Sequence, residues 1–261
     1  MHSESQIIIP ARLASTRLPR KLLLCETGKP LIQHTYEAAC RAARPAAVCV
    51  ATDHEEIYRA VLAFGGRAEM TNPHAASGTD RVAEVARRLE NAAILVNLQG
   101  DEPEVSGPAI DRAISLLEEH PAAVMSTLAT PIRQRRQLED PACVKVVFDC
   151  HGRALYFSRS VIPRPREWDD RLLAAEPAHF YQHVGLYAYR REFLLALAEM
   201  RPSRLEQLEK LEQLRVLESG HSILVGVVDE GTFGIDTPED YRAFVERWKN
   251  KSPSPSGRGP G

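Results

Sequence analysis

Long apolar runs are missing from the sequence: none approaches the roughly 18 residues that a membrane-spanning helix needs. Paired cysteines are missing too. The five that occur, Cys25, Cys40, Cys49, Cys143 and Cys150, form no Cys-x-x-Cys pair and no even set. With no signal-peptide pattern at the N-terminus, that usage leads us to expect free thiols, a soluble protein and a reducing cytoplasm. Nor does charge of one sign dominate. With 33 basic and 35 acidic side chains the formal net charge is −2, which argues against nucleic acid as an obligatory partner. At 261 residues the chain can build one large α/β domain or two small ones and bury a full core.

One local absence is more informative. Between Ser5 and Cys25 there is no acidic residue, while Arg12, Arg17, Arg20 and Lys21 all fall in the stretch IIIPARLASTRLPRK. The stretch opens as a buried strand, Ile7 to Ile9, and Pro10, having no N–H to donate, is expected to end its pairing. Four cations at the exit of a first strand suit a small polyanion such as a nucleoside triphosphate, although a solvated basic loop is the simpler explanation of a charge run. Downstream, a helix from Leu31 to Ala43, a strand from Val48 to Thr52, a helix from Glu55 to Phe64 and a short strand from Arg67 to Met70 continue a β-loop-α alternation. Parallel strands with right-handed crossovers follow, and in such sheets ligands bind at the carboxyl ends of the strands. The loops after Ile9, Thr52 and Leu98 would share one rim.

Ser77 or Thr79 suits the N-cap of a helix over Val82 to Glu90, and a Ser-Gly-Thr start also offers N–H groups and hydroxyls to a nucleotide. Asp101, just past the strand Ile94 to Leu98, is placed either to hold a divalent ion on phosphate oxygens or to satisfy a turn. A helix from Pro108 to Glu119 and a strand from Val124 to Ala129 extend the alternation. After about Val144 the pattern changes to an antiparallel hairpin, Val144 to Asp149 and Ala154 to Ser158. The segment Pro163 to Pro177 reads as an exposed, mobile excursion. In the strand Gln182 to Tyr189, alternation puts Val184, Leu186 and Ala188 on the core face and His183 and Tyr187 away from it. One helix is expected from Ser203, with a stripe of Leu205, Leu208, Leu211 and Leu214 beside Glu212. After a last strand, Ile223 to Val228, the turn GIDTPED starts the final helix: Thr237 is its cap and Pro238 its first residue, which leaves Asp236 unexplained. The Ser/Pro/Gly-rich tail, 251–261, is expected to be disordered.

The segments IIIPARLASTRLPRK, VATDHEEI, SGTDRVAEV, VNLQGDEP, ALYFSRSVIP, HVGLYAYR, LEKLEQLRVLESG and GIDTPEDY occur in this order and together resemble the 3-deoxy-manno-octulosonate (Kdo) cytidylyltransferases, over roughly Gln6 to Trp248. The resemblance implies a Rossmann-like, mostly parallel α/β fold in a single nucleotidyltransferase domain, 1–250, with an antiparallel sugar-covering and dimerising elaboration at about 144–230. It implies transfer of CMP from CTP to Kdo for lipopolysaccharide synthesis, with magnesium, in a homodimer. By that similarity Arg12 and Lys21 hold the triphosphate. Ala11, Thr52, Asp53, Ser77, Thr79, Arg81 and Gln99 frame CTP; Asp101 and Asp236 ligate magnesium; and Gln99, Arg159, His183, Tyr187 and Glu212 face the acidic sugar. Two positions depart from the pattern, Arg20 where glycine and Leu22 where proline is usual, which puts the backbone of the first loop in question. The Gly-Gly-Ser-Lys run of sialic-acid cytidylyltransferases and the Gly-Gly-x-Gly-Thr-Arg loop of sugar-1-phosphate enzymes are both absent. A non-catalytic relative of the same fold is disfavoured because Lys21, Asp101 and Asp236 are all present.

Overall fold

The computed structural model describes residues 4–75, 77–229, 231 and 234–251. One sheet organises the chain. Strands β1 (Glu4–Ala11), β2 (Ala47–Thr52), β3 (Ala68–Met70) and β4 (Ala92–Asn97) pair in parallel in the order β3-β2-β1-β4. Beyond β4 the order continues through β8 (Tyr181–Arg190), β5 (Met125–Pro131) and β9 (Ile223–Val227). Only β8 runs against its neighbours, so β5 and β9 point the same way as β1 to β4. The hairpin of β6 (Lys145–Phe148) and β7 (Ala154–Ser158) hangs from β8 through the pairing of Lys145 with Gln182. A mostly parallel α/β sheet with a later antiparallel elaboration is the expected architecture.

Helices cover both faces, and the three successive isoleucines of β1 show why the strand is apolar throughout. Ile7 and Ile9 enter a core shared with α1 (Leu31–Ala39), α2 (Glu55–Ala63), α4 (Gly107–Glu119) and α9 (Pro238–Lys251). Ile8 enters the opposite core, built from α3 (Gly78–Ala86), α6 (Arg191–Glu199) and α8 (Gln213–Glu218). Alternating side chains need two apolar layers only when both faces are packed.

Four expectations need correction. Pro10 does not end the pairing of β1: it stands opposite Ala51 of β2 and Ala11 opposite Thr52. The missing N–H costs nothing there, because the β4 ladder has already ended at Ile8–Asn97. The even positions of β8 do not make its one core face; on the odd face His183 and Tyr189 are buried as well, since α3, α6 and α8 cover it. The single helix expected from Ser203 is two, α7 (Arg204–Glu209) and α8, separated by Lys210 in a left-handed conformation with φ 54°. The leucine stripe breaks with it: Leu211 and Leu214 are buried, whereas Leu208 is 70% exposed. A buried bidentate pair bridges the break, with Arg215 Nε 2.7 Å and Nη2 2.5 Å from the Glu206 carboxylate. Finally, the excursion from Pro163 to Pro177 is exposed over most of its length, as expected, but is tied down near its end. Arg133 donates to the carbonyls of Leu173 (3.2 Å) and Ala175 (2.8 Å) and pairs with Glu176, while Leu173 and Phe180 pack on Ile132 and Leu138. The expected disordered tail lies outside the described residues from 252 onward, and Lys251 closes α9.

Candidate active site

At the carboxyl ends of β1 and β4 the loops part around a cavity of about 240 Å³. Its walls are the basic loop after β1, the start of α3, the Gln99–Asp101 turn after β4, and Asp236. Gly100 lies in close approach, since a Cβ there would stand 3.2 Å from the carbonyl oxygen of Pro10 and 3.3 Å from Ile32, a tight fit that glycine avoids. The Thr35 hydroxyl fixes the same turn by donating to the Gly100 carbonyl at 2.8 Å. Asp101 is joined to the distant Asp236 loop through its own backbone, whose carbonyl accepts from Ile235 N–H at 2.9 Å.

Asp236 is held at the start of α9. The Asp240 carboxylate accepts from the N–H groups of Asp236 (3.1 Å) and Thr237 (2.9 Å), and the Thr237 hydroxyl accepts from Asp240 N–H (3.2 Å). This reciprocal cap fixes the helix start without using the Asp236 side chain. The helix itself is anchored on α1, where the buried His34 ring meets Phe244 and Trp248 edge-on at 5.2 and 4.3 Å.

Three of the four lining cations are already paired. Lys21 Nζ bonds Asp101, Asp236 Oδ1 (3.0 Å) and the Ile235 carbonyl (3.1 Å), and Arg17 lies 2.9 Å from Asp236 Oδ2. Arg81, buried, donates to Asp53 at 2.9 Å and to Thr71. Arg12 is exposed and has no hydrogen-bond or ion-pair partner among the described residues. Arg20 takes the left-handed conformation, φ 56°, which glycine adopts without penalty, and pairs with Glu56.

The structure therefore brings Ala11, Arg12, Lys21, Ser77, Arg81, Gln99, Asp101 and Asp236 to one cavity. Ser77 also caps α3, its hydroxyl accepting from Asp80 N–H at 3.2 Å, so it and not Thr79 is the cap. Thr52, Asp53 and Thr79 are not on the cavity wall. Thr52 is fully buried and its hydroxyl accepts from His54 N–H at 3.3 Å; Asp53 serves Arg81.

The residues expected to meet the sugar form a second polar group, reached from the cavity by a chain of side chains. Gln99 Nε2 donates to Asn97 (3.4 Å), Asn97 Nδ2 to the Thr79 hydroxyl (3.5 Å), and that hydroxyl to Glu212 (2.6 Å). Glu212 is the residue before α8. His183 Nε2 lies 2.9 Å from the Thr127 hydroxyl, and the Tyr187 hydroxyl donates to Gln213 Oε1 at 3.2 Å. Burial pushes the His183 pKa down to about 3, leaving a neutral ring. Burial pushes the phenols of Tyr187 and Tyr189 up, and the nearby Glu212 charge adds to this. Arg159 is fixed by carbonyls, donating to Glu209 (2.7 Å), Pro141 (3.1 Å) and Lys210 (3.5 Å) around the α7–α8 break.

Two further residues of this region were not expected from sequence. Gln213 is buried and its Nε2 has no hydrogen-bond partner among the described residues. Glu102, next to Asp101, is buried with its Oε1 3.2 Å from where a Cβ on Gly185 would stand, so β8 passes close to this carboxylate. Nothing in sequence alone marks a glutamine as buried and unpartnered, whereas Glu102 sits in a motif already singled out.

Known proteins match most of this chain. Residues 6–223 match the cytidylyltransferase family model. A 3-deoxy-manno-octulosonate cytidylyltransferase of Rhodopirellula baltica is 52% identical over 92% of this chain and 97% of its own. The chain belongs to the 3-deoxy-manno-octulosonate cytidylyltransferase family. An 8-amino-3,8-dideoxy-manno-octulosonate cytidylyltransferase of Shewanella woodyi, 46% identical over 92% of this chain and 97% of its own, is another relative. Among solved structures, a CMP:2-keto-3-deoxy-manno-octonic acid synthetase complexed with CTP superposes with a TM-score of 0.89 at 42% identity, covering 96% of this chain and all of that one. In this cytidylyltransferase-family chain the segment beyond the family match, 224–261, includes Asp236. Among the described residues, no helix is long and apolar enough to cross a membrane.

Proposed function

We propose that this cytidylyltransferase uses CTP and Kdo, giving CMP-Kdo and pyrophosphate. The observation that carries this is the convergence of Asp101 and Asp236, from loops 135 positions apart, on one cationic atom beside Arg12 and Arg17. Displacement at an α-phosphate gathers negative charge on phosphoryl oxygens, so positioned cations do most of the work. Arg12, without a hydrogen-bond or ion-pair partner among the described residues, is available to the triphosphate, and Arg81 is locked into the wall where the nucleotide would lie. The Arg159 guanidinium, which donates to carbonyls, keeps its charge for the carboxylate of an acidic sugar. The neutral His183 ring, the Tyr187 hydroxyl and the Glu212 carboxylate offer hydrogen bonds to sugar hydroxyls.

The two carboxylates fit magnesium. They are hard oxygen donors already gathered around a single cation. No cluster of three or more His, Cys, Asp or Glu able to hold a metal occurs among the described residues, which suits an ion that completes its shell with phosphate oxygens and water. When bound by Asp101 and Asp236, magnesium would lower the pKa of the attacking hydroxyl and neutralise charge on the phosphate. A homodimer formed through the region after Val144 accompanies this function; sedimentation of a monomer at micromolar concentration would reject it.

Pyrophosphate release tests the substrates. CTP should support turnover with Kdo far better than ATP or GTP, because a site built to hydrogen-bond a pyrimidine leaves polar groups unpaired with a purine. Sialic acid and the 8-amino analogue of Kdo are the sugar comparisons. Equal turnover with ATP, or preference for sialic acid, would reject the assignment.

A further inference from the structure

The ammonium of Lys21 occupies the point at which the two carboxylates converge. Its three N–H donors are spent on Asp101, Asp236 and the Ile235 carbonyl, and its side chain is only 15% exposed. Arg17 occupies the remaining oxygen of Asp236. Two cations and two carboxylates thus neutralise each other in the free chain. A divalent ion arriving alone would have to displace Lys21 and leave a mostly buried ammonium without its counter-charges, which is costly. A triphosphate removes that cost, because its oxygens can re-pair both Lys21 and Arg17 as the carboxylates are released.

Resting on the function proposed above, we infer that Lys21 is a built-in counter-ion that holds the metal position in the nucleotide-free enzyme. The divalent cation enters with the triphosphate, not before it, and Lys21 changes partners from carboxylate to phosphate in the same step. Lys21 then has two successive roles. It keeps Asp101 and Asp236 together against their mutual repulsion, and it is delivered to the phosphates when the cation takes its place. The exchange conserves charge pairing throughout, so neither state leaves an isolated charge in the cleft.

Mn²⁺, followed by its electron paramagnetic resonance signal, is the probe. Wild-type enzyme should bind Mn²⁺ weakly without CTP and tightly with it. Lys21→Met should bind Mn²⁺ without CTP at least about tenfold more tightly than wild type, a change equivalent to roughly 1.4 kcal/mol. Its melting temperature should rise with Mn²⁺ alone, where that of wild type stays constant. Adding Asp236→Asn to Lys21→Met should abolish both effects and so place the ion on these carboxylates. Equal Mn²⁺ affinity of wild type and Lys21→Met without CTP overturns the counter-ion role. Should Lys21→Met fail to fold, wild type decides: Mn²⁺ bound as tightly without CTP as with it overturns the inference. A different outcome marks failure of the underlying function: with CTP present, Mn²⁺ binding that neither Asp101→Asn nor Asp236→Asn weakens would put the ion elsewhere altogether.

Discussion

Among the described residues, Gln213 has a buried side-chain amide nitrogen without a hydrogen-bond partner. It is the first residue of α8, 3% exposed, with Oε1 accepting from the Tyr187 hydroxyl at 3.2 Å and Nε2 without a hydrogen bond among the described residues. Turning the amide over would exchange the end that meets Tyr187 and still leave the other without a partner. An unsatisfied buried donor costs about 1–3 kcal/mol, a burden that a ligand hydroxyl would lift. Glu212, one residue earlier, and Tyr187 place that ligand on the sugar side.

Gln213→Leu removes the unpartnered amine and, with it, the acceptor for Tyr187. The relief of one buried donor and the exposure of another to the same penalty, each about 1–3 kcal/mol, nearly cancel. Melting temperature should therefore move by only a few degrees. Use of Kdo should suffer more: losing one neutral hydrogen bond, about 0.5–1.5 kcal/mol, raises its KM roughly two- to tenfold while KM for CTP stays unchanged. Pyrophosphate release at saturating CTP with Kdo varied measures this. An unchanged Kdo KM together with a large fall in melting temperature would make Gln213 a structural residue and refute the reasoning.

Asp236→Asn should stay folded, because the Thr237–Asp240 cap is untouched, and retain CTP binding through Arg12, yet lose about 100-fold or more in turnover. Asp101→Asn should behave alike, and the double variant should be little worse than either, as for residues acting as one unit. Arg159→Ala should weaken use of Kdo and spare CTP affinity; loss of CTP binding with Kdo use intact would assign this arginine to the wrong substrate. Because its guanidinium also ties Pro141, Glu209 and Lys210 together, its melting temperature should fall, and Arg159→Lys should restore little of the planar contact set. The buried His183 titrates near 3 when folded, and a histidine in the unfolded chain near 6.5, so the unfolded state binds more protons between those values. Its contribution is therefore complete above 6.5 and lost as pH falls toward 3, at up to about 1.4 kcal/mol per unit. His183→Gln should flatten that acid limb in urea unfolding measured from pH 7 to 4.5; an unchanged slope would show that the ring is not titrating as a buried neutral group.

What the sequence revealed and what it hid follow one physical division. Ile7 to Ile9, the Ser77 cap and the Thr237-Pro238 helix start are local patterns, and the structure reproduces them. The α7–α8 break was hidden because Lys210, not glycine, takes the left-handed turn while the leucine spacing runs on across it. The buried face of β8 was hidden because alternation reports which positions share a face, not whether a second helix layer covers it. Arg20 was flagged as a departure, and the backbone there is indeed the left-handed one that glycine would favour.

The charges of the first loop show how far such reasoning can be carried. With no local acid, three of the four cations in this run find counter-charges elsewhere on the sheet rim, and exposed Arg12 has none among the described residues. Arg20 finds Glu56, Arg17 finds Asp236, and Lys21 finds both Asp101 and Asp236. Two of those acids are the ones expected to hold the metal once substrate is bound. That coincidence has a physical reason: a site that must gather a polyanion and a divalent cation needs cations and carboxylates together, and such groups placed side by side pair with one another. Asp236, which helix capping left without a role, is thus paired with Lys21 and Arg17, and the proposed cation would take their place.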